Sequence, residues 1–198
     1  MNAQDWSLFD TAGRRKYADA AERRAILAVS RSMEREDRTL VQTLVYTGAR
    51  PTELVGIEAQ HIDIPRSRVI LKTAKQRGKV KHRAVPVPPE LIDALDLVHD
   101  LRAIQRSNPS ALLWPRTRQH VWNVVAKAVA AAGVPDGPHA SPKGLRHGFA
   151  IACLEAKIDP FTVQRWMGHT YVTTTQVYAQ LVGTDEDTLA ASAWASLK

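Results

Sequence analysis

The chain has 198 residues, a formal net charge of +7 and an isoelectric point near 9.8, with 44% apolar and 24% charged residues. These values fit one well-buried globular domain and exclude the disordered, fibrous and membrane-embedded classes. No apolar run is long enough to span a bilayer, and the N-terminus lacks the pattern of a signal peptide. We therefore expect a cytoplasmic protein, and the basic charge fits a polyanionic partner.

Cys153 is the one cysteine of the chain. It cannot form a disulfide within the chain, and it has no neighbouring cysteine with which to build a structural zinc site. We expect it to be a small apolar residue on a buried helix face. The sequence indicates neither a cofactor nor a metal.

The first part of the chain has helical patterns after an irregular start. Residues 1–17 contain Trp6 and Phe9 but no sustained period, which predicts an N-terminal arm that is loose or packs through one or two apolar anchors. Apolar periodicity and turn residues then predict three helices. They run from Ala18 to about Met33, from about Arg35 to Gly48, and from Pro51 through Val55.

The middle of the chain changes to short, β-branched segments bounded by turns. Residues 61–64, 67–72 and 83–87 predict a small antiparallel sheet, with a basic hairpin, TAKQRGKVKH, between the last two strands. Helical patterns return afterwards. They cover Pro89 to about Gln105, about Thr117 to Ala132, a helix from about Ser141, Asp159 to Gly168, Thr173 to Val182, and Asp185 to about Leu197. The fold class predicted is α+β, mostly helical with a three-stranded antiparallel sheet.

A pair of basic residues and a single arginine suggest anion binding. Lys143 and Arg146 are three residues apart, so on a helix they would share a face on which an anion relieves their repulsion. Arg50 follows Gly48 at a corner between two helices, where we expect Glu53 to steady it. An arginine fixed in this way is suited to contact a phosphate with two hydrogen bonds.

Three segments containing these residues resemble one family. TGARPTEL at 47–54, KGLRHGFA at 143–150 and RWMGHTYVTTTQVY at 165–178 resemble the motifs of the tyrosine recombinases, also called phage integrases. The spacings agree as well, because His169 follows Arg146 by 23 positions and Tyr178 follows His169 by nine. The resemblance covers about residues 18–182, which implies that family's catalytic-domain fold.

The resemblance implies a mechanism. Tyr178 would attack a scissile DNA phosphate and form a 3′-phosphotyrosine, while Arg50 and Arg146 stabilise the transition state and His169 donates a hydrogen bond. Tyr171, two residues after His169, has the wrong register for the nucleophile. No metal or nucleotide would be needed, because the covalent intermediate keeps the free energy of the phosphodiester.

The family also uses a lysine on the hairpin to protonate the leaving 5′-oxygen. Lys72, Lys75, Lys79 and Lys81 are candidates, and Lys75 matches the family's register best, although two extra residues precede Ala84. Lys79 and Lys81, together with Arg77, are expected to bind DNA phosphates. His139 and His147 are expected to be structural.

The chain departs from the family pattern in two respects. Lys143 stands where most members have histidine, and lysine cannot act as a neutral imidazole base. About 17 residues precede the catalytic domain, where family members usually carry a helical domain that completes a clamp around DNA. We therefore expect DNA affinity to fall steeply with salt. The helix within 183–198 is placed to be exchanged between protomers, as in a tetramer on double-stranded DNA.

Three alternatives to a site-specific recombinase or integrase remain. A topoisomerase would use the same chemistry without exchanging strands. A catalytically inactive or minimal DNA-binding regulator of a full-length recombinase would explain Lys143 and the short N-terminus. A protein that binds another anion, such as a nucleotide, is disfavoured because the chain has no glycine-rich phosphate loop.

Overall fold

The fold is mostly helical with one small sheet. A computed structural model describes residues 8–76 and 79–168, without the side chains of 74–76, 79 and 80. None of the helices in this part of the chain is long and apolar enough to cross a membrane. The helices are α1 (Ala20–Ser30), α2 (Arg35–Thr47), α3 (Pro51–Leu54), α4 (Pro89–His99), α5 (Leu101–Ser107), α6 (Arg118–Ala131), α7 (Pro142–Glu155) and α8 (Pro160–Met167). The strands are β1 (Ile62–Asp63), β2 (Arg68–Gln76) and β3 (Lys79–Pro86).

Helix α2 lies at the centre of the fold and packs against α1, α4, α6 and α7. Acidic Glu36 and Asp37 in its first turn complement the helix dipole. The helix ends where Gly48 takes the left-handed conformation, with φ of 59°. More than half of its side chains are buried, among them Leu40, Leu44 and Val45. The ends of α2 are therefore placed by the core that surrounds it.

The sheet has the order β1-β2-β3 and is antiparallel throughout, which confirms the predicted fold class. Both long strands extend beyond their predicted limits of 67–72 and 83–87. Thr73 pairs with Lys81 and Gln76 pairs with Lys79, so most of the predicted basic hairpin continues the ladder. The pairing supplies partners for backbone groups that a loop would leave to water.

The predicted helix from Pro89 to Gln105 is two helices. The chain breaks at Asp100, which has a left-handed φ of 49°, a conformation that aspartate tolerates better than most residues. The Asp96 carboxylate then accepts hydrogen bonds from the backbone N–H and the Nε of Arg102. After the break, Gln105 donates to the carbonyls of Ala59 and Ile62, which fixes α5 against the start of the sheet.

The described part of the N-terminal arm is ordered against the helices. Leu8 is its buried anchor, whereas Phe9 is exposed and Trp6 lies outside the described residues. Helix α1 begins at Ala20 rather than Ala18, because Asp19 caps it in a reciprocal pair with Glu22.

Two glycines of α7 allow close backbone approaches, Gly148 to the arm at Ala18 and Gly144 to the segment before the helix at His139. The Ala18 backbone N–H donates to the Gly144 carbonyl at 3.0 Å. A Cβ on Gly148 would lie 2.1 Å from the Ala18 carbonyl oxygen, and one on Gly144 would lie 1.9 Å from the His139 carbonyl oxygen. These contacts involve backbone atoms, which cannot rotate away as a side chain can. Residues without a side chain are therefore required at both positions.

We expect Gly148→Ala to lower the free energy of unfolding by about 1–3 kcal/mol, because the added methyl group forces the arm away from α7. Gly56→Ala is the matched control. Its Cβ would be 3.5 Å from the nearest atom and its φ is not positive, so its effect should stay below about 0.5 kcal/mol. Urea denaturation measures both. Equal losses in the two variants would contradict the close approach of the arm.

Candidate active site

The corner between α2 and α3 holds Arg50 in a defined position. Gly48 turns the chain, Arg50 is the N-cap residue of α3, and Pro51 occupies the first helical position. The Glu53 carboxylate reaches back to the Arg50 backbone N–H at 2.8 Å and also accepts a hydrogen bond from Arg50 Nη1 at 2.8 Å. The Arg50 side chain is nevertheless 35% exposed. The predicted steadying of Arg50 by Glu53 is thus present in the structure.

A second arginine, Arg83 on β3, binds the same carboxylate. Its Nη1 and Nη2 donate to the two oxygens of Glu53 at 3.0 and 2.7 Å. Nη1 also donates to Thr73 Oγ1 at 2.8 Å, and Nε donates to the Trp166 carbonyl at 2.6 Å. Arg83 and Glu53 are both almost fully buried. This one side chain therefore joins the sheet to α3 and to the last turn of α8.

The protonation of Glu53 reflects two opposing effects. Burial by itself raises the pKa of the Glu53 carboxyl group. The hydrogen bonds and charge of Arg83, followed by the charge of Arg146, outweigh burial and lower that pKa to about 2. Glu53 is consequently ionised at neutral pH.

Arg146 on α7 connects the two ends of the site. Its Nη1 donates to the Gly48 carbonyl at the α2–α3 corner, and its Nη2 donates to the Met167 carbonyl at the end of α8. Arg146 Nη1 also lies 4.0 Å from a Glu53 oxygen. Carbonyls at helix C-termini carry partial negative charge, so they are suitable partners for a cation. Arg146 therefore holds the corner that carries Arg50 close to Met167, which lies two residues before His169.

Lys143 and Arg146 lie on the same helix but differ in burial. Lys143 is exposed near the start of α7, whereas the Arg146 side chain is only 8% exposed. Both residues lie on α7, but backbone carbonyls draw the Arg146 guanidinium into the protein while Lys143 stays exposed. His139, His147 and Cys153 are buried, and burial raises the pKa of the Cys153 thiol to about 11.

The hairpin lysines are only partly described. Lys81 pairs with Thr73, and alternation places it on the same sheet face as Arg83. Lys72 pairs with His82 on the other face. The side chains of Lys75 and Lys79 and all of Arg77 lie outside the described residues, as do His169, Tyr171, Tyr178 and the helix predicted within 183–198. Within 8–76 and 79–168, no three His, Cys, Asp or Glu side chains come together in a way that could bind a metal ion.

Arg83 is the residue that the sequence analysis missed. A signal was available, because Arg83 alternates with Val85 and Val87 and so occupies the inward face of its strand. A buried arginine needs a carboxylate partner, and Glu53 is 30 positions away in the sequence. Alternation can show that Arg83 is buried, but it cannot identify a partner on another element.

The low pKa of Glu53 makes stability depend on pH. The stabilisation is present above the ordinary carboxyl pKa of 4.5 and is lost as the pH falls from 4.5 to about 2. We expect the free energy of unfolding to decrease by something on the order of 3 kcal/mol from this group across that window. Urea denaturation at successive pH values measures it. Glu53→Gln lacks the titrating group, so its stability should decline less steeply; an identical decline would refute the assignment.

Comparison with known proteins identifies the family. The phage integrase family model matches residues 16–183. Tyrosine recombinase XerD of Mycobacterium leprae (strain TN) is 37% identical over 155 residues, which cover 72% of this chain and 47% of that protein. Tyrosine recombinase XerA of Thermococcus onnurineus (strain NA1) is 30% identical over 168 residues, covering 81% and 56%. The chain thus spans about half the length of the curated relatives it matches.

Comparison with solved structures identifies the same fold. The catalytic domain of bacteriophage HP1 integrase superposes with a TM-score of 0.66 at 18% identity, covering 88% of this chain and 93% of that one. The fold is therefore that of a tyrosine recombinase catalytic domain, as the sequence predicts. With more than half of its length matched by the family model, the chain belongs to the phage integrase family.

Proposed function

We propose that this chain is the catalytic part of a site-specific DNA recombinase. It cleaves and rejoins DNA strands through a 3′-phosphotyrosine at Tyr178. Arg50 and Arg146 contact the scissile phosphate, His169 donates a hydrogen bond to it, and Lys143 adds positive charge beside them. The Xer relatives that the chain matches are named tyrosine recombinases, which supports this proposal.

The observation that carries this proposal is the position of Arg146. Its two carbonyl contacts bring together the Arg50 corner, helix α7 and the chain immediately before His169. Arg50 and Arg146 also share Glu53 as a neighbour, at 2.8 and 4.0 Å. Arginines fixed by surrounding structure stabilise charge that develops on a phosphoryl group, because they need no reorganisation during the reaction. Three of the family's motif segments thus meet at one site.

The proposed reaction exchanges one ester bond of the phosphodiester for another, so the phosphorus stays a diester throughout. The Tyr178 oxygen attacks phosphorus, its phenolic proton passes to solvent water, and the bond between phosphorus and the 5′-oxygen breaks. The 5′-oxygen takes a proton from Lys75, which makes the released strand a 5′-hydroxyl. Rejoining reverses these steps with the 5′-hydroxyl of the same or another strand. Cations around the phenol favour its ionisation, since an unperturbed tyrosine has a pKa near 10.

Several surfaces support a double-stranded DNA partner. Helix α6 contains no acidic residue, and its exposed face presents Arg118, Gln119, Trp122, Asn123 and Lys127. Arginine and amide side chains of this kind read base edges, and exposed cations contact phosphates. Arg77, Lys79 and Lys81 add phosphate contacts at the hairpin. One solved structure with this fold, XerH, is described as bound to its palindromic difH substrate. A homo-oligomer joined through residues 183–198, where the sequence predicts a helix, would bring two DNA sites together.

A covalent adduct tests the nucleophile. The protein is incubated with a pool of nicked suicide duplexes that have randomised arms, and adducts are isolated under denaturing conditions. We expect Tyr178→Phe to abolish the adduct completely, because no other group supplies the attacking oxygen. Tyr171→Phe is the matched control and should retain it.

The outcomes separate the alternatives. An adduct that persists in Tyr178→Phe would exclude Tyr178 as the nucleophile. DNA binding in a gel shift without any adduct would favour the inactive regulator. Relaxation of supercoiled DNA that lacks a selected sequence would favour a topoisomerase.

The hairpin proton donor has its own test. In a duplex with a 5′-bridging phosphorothiolate at the scissile position, the leaving thiolate needs no proton. We expect Lys75→Ala to cut the normal duplex about 100-fold more slowly, as for loss of a general acid, and to cut the phosphorothiolate at nearly the wild-type rate. Lys81→Ala is the matched control, and its cleavage rates on the normal and the phosphorothiolate duplex should change by the same factor. Rescue of Lys81→Ala instead would assign the proton donor to Lys81.

A further inference from the structure

Arg83 is not part of the family motifs quoted above, yet it makes as many described hydrogen bonds as Glu53 at the centre of the site. Four hydrogen bonds fix it to Glu53, Thr73 and the Trp166 carbonyl. Its side chain is 4% exposed. Because Nε, Nη1 and Nη2 of Arg83 all donate to groups of the protein, its contribution must pass through the groups it contacts.

The Glu53 carboxylate is shared unequally between Arg83 and Arg50. Arg83 bonds both oxygens in a bidentate pair, which is the strongest arrangement available to a guanidinium and a carboxylate. The Arg50 side chain bonds one oxygen, through Nη1. The second oxygen accepts the Arg50 backbone N–H. Arg50 therefore contacts Glu53 with one edge of its guanidinium and stays partly exposed.

We infer that Arg83 is a positioning residue that occupies Glu53 and thereby keeps Arg50 available to an anion. If Arg83 were absent, both carboxylate oxygens would be open to Arg50, which could form the bidentate pair itself. Arg50 would then be drawn inwards, and a phosphate would have to compete with Glu53 for it. The inference rests on the proposed function, since it concerns the same phosphate site.

A second consequence follows from the Trp166 contact. Arg83 Nε is bonded to the carbonyl two residues before Gly168, and a Cβ on Gly168 would lie 3.0 Å from Arg83 Nη1. Gly168 has a left-handed φ of 62° and ends α8 immediately before His169. Arg83 thus fixes the end of α8 and the orientation of Glu53 with one rigid group. A lysine cannot do this, because its single ammonium nitrogen lacks the planar fork.

Binding of inorganic phosphate to Arg50 tests the inference without a DNA site. The arginine Nε–Hε resonances of the full chain are followed by NMR during a phosphate titration, with the Arg50 signal assigned by its loss in Arg50→Lys. Arg83→Met should weaken phosphate binding at Arg50 at least about tenfold, equivalent to losing one charge-assisted hydrogen bond. Arg83→Lys should also weaken it. Arg102→Met is the control, because Arg102 pairs with Asp96 at an exposed site, and it should bind as the wild type does.

The double variant Glu53→Gln/Arg83→Met separates positioning from folding. Removing both members of a buried ion pair is better tolerated than removing one, and without the Glu53 charge Arg50 has no competing partner. Phosphate binding should therefore recover to within about threefold of wild type. Thermal unfolding of each variant shows that the titrations are done on folded protein.

The results have distinct meanings. Wild-type affinity in Arg83→Met, or no recovery in the folded double variant, would overturn the inference. No phosphate binding at Arg50 in the wild type would overturn it as well. If any of these results is accompanied by an adduct that depends on Tyr178, the proposed function stands. If phosphate binding is as expected but no adduct depends on Tyr178, the proposed function alone is refuted.

Discussion

The guanidinium of Arg146 is buried and donates hydrogen bonds to two backbone carbonyls that lie far apart in the chain. One carbonyl is 98 positions away and the other is 21. A buried cation is costly unless it is fully bonded, so the α2–α3 corner and the end of α8 must be in place together for Arg146 to be accommodated. Both carbonyls belong to helix ends, where they lack partners within the helix. The same contacts therefore satisfy two helix termini and orient the site.

Glu53 complements this arrangement with the opposite charge. Three arginines of the described chain surround one carboxylate, which is ionised because Arg83 and Arg146 overcome the effect of burial. A buried ion pair is weak evidence for stability, since burying both charges costs about as much as their attraction returns. Its benefit here is geometric. The rigid forks of the arginines fix directions, which an apolar cluster of similar volume could not do.

Elements with local signals could be predicted from the sequence. Gly48, Pro51 and the Asp159–Gly168 segment carry their caps and turns within a few residues, and the helices begin and end there. Asp100 could not be predicted in the same way, because apolar spacing continues through the break and the carbonyls that Gln105 of α5 bonds lie more than 40 positions away. The burial of Arg146 could not be predicted for a similar reason. Its carbonyl partners lie on other elements, and no spacing along α7 reveals them.

The glycines of α7 have a consequence for how movement passes through the protein. Because Gly148 has no side chain and the Ala18 N–H donates to the Gly144 carbonyl, the backbone at Ala18 rests directly on the helix. A displacement of the chain at Ala18 would therefore act on α7 directly, through backbone atoms. Arg146 lies on that same helix, between the two glycines. The arm and the arginine that joins the two ends of the site thus share one short stretch of helix.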